Sequence, residues 1–86
     1  MHTVVLLAHA INLAEQLGYA VRQEWIDHNG GGGCELRGRK FLFIDLAAPP
    51  CDQLEMVLGV LRREPVAADL LMPKELRTAL CMRKTA

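Results

Sequence analysis

The stretch that most constrains the fold is Phe41-Leu42-Phe43-Ile44-Asp45-Leu46. Side chains alternate across a β-strand, so a strand with one wet face reads apolar, polar, apolar. Here both faces are apolar. Phe41 and Phe43 share one side, and Leu42, Ile44 and Leu46 share the other; only Asp45 interrupts. Such a strand needs cover on both sides. A chain of 86 residues has little to offer, because a domain of this size buries only about 60–70% of its unfolded surface. One set is therefore expected to stay partly exposed in a monomer, near Trp25 or Ile26 of an earlier strand. A contiguous apolar patch of that kind marks an interface.

The surrounding sequence supplies the other elements. Val4, Leu7, Ala10, Ile11, Ala14 and Leu17 recur at three- and four-residue spacing, which predicts a helix from Thr3, as its cap, to about Leu17. Gly18 stands where a C-terminal glycine belongs. Tyr19 to Ile26 reads as a strand, and residues 27–33, with four consecutive glycines, as a loop. Cys34 to Arg37 reads as a short strand with Cys34 and Leu36 inward, and Gly38-Arg39 as a tight turn into the apolar strand. Pro49-Pro50 ends the sheet and opens a helix to about Arg63. Pro73 opens a third, short helix with Leu76, Ala79 and Leu80 on its buried edge. The expected architecture is one α+β domain over residues 1–86, in the order α-β-β-β-α-α. Short links between strands predict a three-stranded antiparallel meander with helices on one face. The apolar strand would then be an edge strand, and an uncovered apolar edge invites a second chain.

Charge and cysteine usage exclude several classes. Lys and Arg number 10, as do Asp and Glu, so the formal net charge is zero; a sequence-independent nucleic-acid binder carries a basic excess. Arg37, Arg39 and Lys40, with Arg62 and Arg63, form two basic spots, but the interleaved aromatics of a single-strand binder are missing. No apolar run has the length of a membrane span. Ala8-His9-Ala10 has the form of a signal-peptidase site, yet the apolar run before it is short and no Lys or Arg precedes it, so no export signal is read. Cys34, Cys51 and Cys81 contain no C-x-x-C pair and read as free thiols of a cytoplasmic protein.

The candidate binding residues are His28, Gly31, Gly32 and Cys34. Consecutive glycines expose backbone N–H groups that can cradle an anion, although the order strand, loop, strand is not that of a dinucleotide loop. His28 and Cys34 are zinc-type ligands, but two ligands do not complete a site, so no metal and no cofactor is assigned. No catalytic residue is assigned either: there is no serine elbow, no H-E-x-x-H and no P-loop. The candidate interface residues are Trp25, Phe41, Phe43 and Ile44.

The segments "LGYAVRQEW", "GGGCELRGRKFLFIDL" and "QLEMVLGVLRRE" resemble short conserved bacterial proteins, a likeness that implies a fold and no activity. The same order also resembles the front part of ImmA/IrrE-type zinc metallopeptidases, in which an apolar strand precedes a helix bearing H-E-x-x-H. Here that helix reads Gln53-Leu54-Glu55-Met56-Val57-Leu58, with neither histidine. The resemblance implies a peptidase-like fold stripped of its zinc centre. The function expected from the residues is a non-enzymatic homodimer or protein-interaction module. The alternatives are a small-ligand or metal binder using Asp27 to Cys34, and the degenerate peptidase-like fold.

Overall fold

The computed structural model describes residues 2–25, 32–64 and 72–81. Thr3–Gln16 forms α1, with Leu7, Ala10, Leu13 and Ala14 buried. The helix begins at Thr3 itself, with His2 in the N-cap position and no side-chain cap. Its first turn overruns the core, leaving Val4 and Val5 exposed. At the other end Gly18 N–H donates to the Glu15 carbonyl and Tyr19 N–H to the Ala14 carbonyl, both at 3.0 Å. These are the two closing bonds of a Schellman motif, with Gly18 at φ +96°. The chain turns there directly into β1, Ala20–Glu24.

The α+β class and the element order are as the sequence predicts: α1, β1, β2 (Gly32–Leu36), β3 (Arg39–Asp45), α2 (Pro50–Leu61) and α3 (Lys74–Cys81). The strand arrangement is not the predicted meander. The sheet order is β1-β3-β2, with β1 parallel to β3 and β2 antiparallel to it. The apolar strand is therefore the central strand and not an edge. Only the second link is tight. The first, residues 25–31, connects strands on opposite sides of β3, two strand spacings or about 9–10 Å apart. The second is a two-residue turn at Arg37-Gly38, one position earlier than predicted, with φ of +53° and +78°. Positive φ at both central positions is the geometry that matches strand twist in a hairpin. The sheet places its longest and most apolar strand in the middle, while β1, ending Arg22-Gln23-Glu24, presents a polar edge.

The helices pack on one face of this sheet. α1 lies against β1, α2 against β2 and β3, and α3 against both other helices. Leu42 and Ile44 enter the core formed with Leu7, Leu13, Leu54, Val57, Leu58, Leu61 and Leu76. Full burial of each such side chain contributes about 1.5–3 kcal/mol. Gly33 lets α2 sit close to β2, since a Cβ there would lie 3.2 and 3.3 Å from the two Val60 methyls. Pro50 opens α2, and the Pro49 carbonyl accepts from Asp52 and Gln53 N–H at 3.0 Å. α3 is held by Arg62, whose Nε donates to the Leu80 carbonyl at 3.1 Å and Nη2 to the Ala79 carbonyl at 2.8 Å. A cation at a helix C-terminus satisfies carbonyls that lack helical partners. Among the described residues no helix is long and apolar enough to cross a membrane.

Candidate functional site

The register fixes what the other face of the sheet presents. Paired residues share a face, so Ala20, Phe41 and Cys34 form one row, and Arg22, Phe43 and Gly32 the next. Glu24 and Asp45 lie beyond them at one end, and Arg39 with Leu36 at the other. Phe41 and Phe43 stack with ring centroids 6.0 Å apart, and the Arg39 guanidinium lies 5.7 Å from the Phe41 centroid. Both rings are half-buried, and neither joins the core cluster. Arg22 and Glu24 pair with each other at 3.3 Å. The face is thus an aromatic centre with Arg39 at one end and Asp45 beside the Arg22–Glu24 pair at the other.

Several expectations change with this register. Ile44 is fully buried among the helices, so it is a core residue and not an interface residue. Phe41 and Phe43 are the set left uncovered. Cys34 and Leu36 face this open side and are exposed, and do not point inward as alternation alone implied. Phe41 and Phe43 are half-buried without core packing: they stack on each other, and Arg39 lies over Phe41. Trp25 follows β1 and is 73% exposed. Of the glycine-loop residues, Gly32 and Cys34 lie in β2, opposite Phe43 and Phe41; His28 and Gly31 lie outside the described residues. Among the described residues no three His, Cys, Asp or Glu side chains form a group able to hold a metal ion. The two basic spots approach each other at one cavity, lined by both Lys40 and Arg63, but three of their cations are engaged. Lys40 is committed to Glu64, Arg62 to α3, and Arg63 Nε to the Gly59 carbonyl at 3.2 Å.

A second constellation lies where the helix face of the sheet meets the end of α2. Tyr19 Oη donates to Glu64 Oε1 at 2.8 Å, and Lys40 Nζ donates to Oε1 at 3.0 Å and Oε2 at 3.3 Å. Lys40 also lies 5.4 Å from the Tyr19 ring centroid. Burial, then the bond to the Glu64 carboxylate, pushes the Tyr19 hydroxyl up to about 12. The bonds from Tyr19 and then Lys40 hold Glu64 below the usual carboxylate range. Beside this trio is an open cavity of about 260 Å³, lined also by Gly33, Cys34, Glu35, Val60 and Arg63. It is below the size of a small-molecule pocket, about 300–1,000 Å³. The Glu64 carboxylate is occupied by its neighbours. The trio is a clasp joining the residue before β1, β3 and the chain just past α2. Sequence reading missed it because Tyr19, Lys40 and Glu64 are far apart in the chain and each is unremarkable alone.

No family model, curated protein or solved structure matches this chain.

Proposed function

We propose that the protein is a non-enzymatic association module that works as a homodimer, with the open sheet face as its interface. The observation that carries this reading is the Phe41–Phe43 pair: two stacked rings on the central strand, outside the core, on the face opposite the helices. Aromatic residues are enriched in the cores of interfaces, where they supply large area at little conformational cost. A formal net charge of zero sets no long-range repulsion between copies. The exposed free thiols of Cys34, Cys51 and Cys81 fit a reducing compartment, and we place the protein in the cytoplasm.

The ligand-binding alternative receives less support. The cavity beside Glu64 is small, and the groups lining it are largely engaged with one another. The peptidase resemblance supports no reaction either, since α2 carries Leu54, Val57 and Leu58 into the core and no histidine. Size-exclusion chromatography with light scattering tests the proposal. The expected result is a particle of two chains for the wild type and one chain for a folded Phe43→Lys variant. A wild type that stays a single chain at high concentration overturns it.

A further inference from the structure

We infer that, in the dimer proposed above, the two sheets meet offset by one strand, so that the Phe41 and Phe43 rings of each copy seat over Cys34 and Gly32 of the other. The inference rests on that reading of the face and adds its packing. Across the open face the three strands differ in bulk. β3 carries the two stacked rings. Beside them on β2, in the same rows, stand Cys34 and Gly32. A Cβ added at Gly32 would meet nothing within 4 Å, and Cys34 is exposed. β2 therefore forms a hollow next to the ridge of rings. On the other side β1 offers Ala20 and Arg22, and Arg22 is paired with Glu24 at 3.3 Å.

A twofold axis in the plane between stacked sheets makes the same patch serve both copies. Running along β3, the axis sets ring on ring and Arg39 on Arg39, and it draws Arg22 of each copy over Gly32 of the other. Like charges are then opposed and a paired cation is desolvated. Running across the strands and between the rings, the axis sets ring on ring and Cys34 on Gly32, a gap that neither copy fills. Unfilled space forfeits dispersion contacts. An axis along the strands but midway between β3 and β2 places β3 of each copy over β2 of the other. Register then sets Phe41 on Cys34, Phe43 on Gly32, and Arg39 on Leu36, which is 61% exposed. Ridge enters hollow twice, as inner side chains interdigitate in stacked sheets. The arginine stem covers a leucine and meets no like charge. β1 overhangs the contact, so the Arg22–Glu24 pair keeps its water. The opposite offset, toward β1, would bury that pair.

Exchanging ridge and hollow tests the offset separately from the dimer itself. Cys34 is the site to change, because Gly32 stands at φ +156° and a side chain there would strain the strand. Cys34→Phe fills the hollow and should weaken self-association in sedimentation equilibrium about tenfold or more, the effect of overpacking a contact. Cys34→Ala keeps the hollow and should stay within about threefold of wild type. Phe41→Ala removes a ring and should weaken association as well. The double variant, Cys34→Phe with Phe41→Ala, moves a ring onto β2 and a hollow onto β3, and the offset register still pairs them. It should associate at least about fivefold more tightly than Cys34→Phe alone. Thermal melts establish that each variant is folded, and Cys34→Leu takes the place of Cys34→Phe throughout if that variant is not. A Cys34→Phe protein that associates as tightly as the wild type, or more tightly, overturns the inference while leaving the dimer intact, because added apolar area strengthens a contact in which no ring occupies that place. So does a double variant no tighter than Cys34→Phe alone. A wild type that is monomeric throughout removes both the dimer and its offset.

Discussion

Leu42 and Ile44 point from β3 into the buried core, whereas Phe41 and Phe43, their neighbours in the chain, point to a face outside that core. Four consecutive apolar residues thus serve two purposes. On the helix face, apolar side chains from α1, α2 and α3 close around the strand, and stability depends on their volume. On the open face two rings cover each other, flanked by charges of both signs, and the fold depends on them much less. Hydrophobicity alone does not separate these faces. What separates them is the side to which the helices return.

Equal insults to the two sides should therefore have unequal results. Ile44→Lys places an unpaired charge in the core and is expected to cost more than about 4 kcal/mol, enough to unfold a domain of this size. Phe43→Lys should give a soluble, folded monomer. Circular dichroism and dispersed amide resonances check both, and loss of the fold in the Phe43 variant breaks the comparison. Truncation sharpens it. Leu42→Ala should cost about 2–5 kcal/mol in urea unfolding, and Phe41→Ala about 1 kcal/mol for the monomer.

Smaller effects are expected where polar groups hold the helices in place. Arg62→Ala removes two charge-assisted bonds to the end of α3 and should cost about 1–3 kcal/mol. Amide exchange should speed up in α3 more than in β3; uniform acceleration would mean that α3 is not a separate unit. The Tyr19–Lys40–Glu64 clasp predicts pH dependence at both extremes. Glu64 has a lowered pKa in the fold, so its contribution is present above the ordinary value of 4.5 and is lost as pH falls through the folded value. Tyr19 has a raised pKa, so its contribution is present below 10.0 and is lost as pH rises toward about 12. Glu64→Gln should flatten the acid limb of the stability curve, and Tyr19→Phe the alkaline one. The smallest effect belongs to Arg37, held at φ +53° in the hairpin turn. Arg37→Gly relieves that strain and should raise stability by about 0.5–1 kcal/mol; a loss would show that the side chain contributes at the turn.

Periodicity made the helices legible. The spacing of Leu7, Ala10 and Ala14, the prolines before α2 and α3, and Gly18 are local signals, and the structure follows them. Strand order was not legible in this way, because it depends on where a connection goes. The link over 25–31 is long enough to reach either side of β3, and no residue in it dictates the side. The facing of β2 was lost with it. With Gly33 as the residue beneath Val60 and Cys34 opposite Phe41, the strand sits one residue out of the phase that apolar alternation implied. Of the candidate interface, Phe41 and Phe43 were legible as a pair, but whether they or Leu42 and Ile44 faced the helices was a question of tertiary packing.

Sedimentation equilibrium of the wild type and of Phe43→Lys, from about 1 to about 500 micromolar, tests the central claim most directly. The account predicts twice the chain mass for the wild type toward the upper part of that range, and a single chain throughout for a folded Phe43→Lys variant. A wild type that sediments as one chain across the whole range would contradict it.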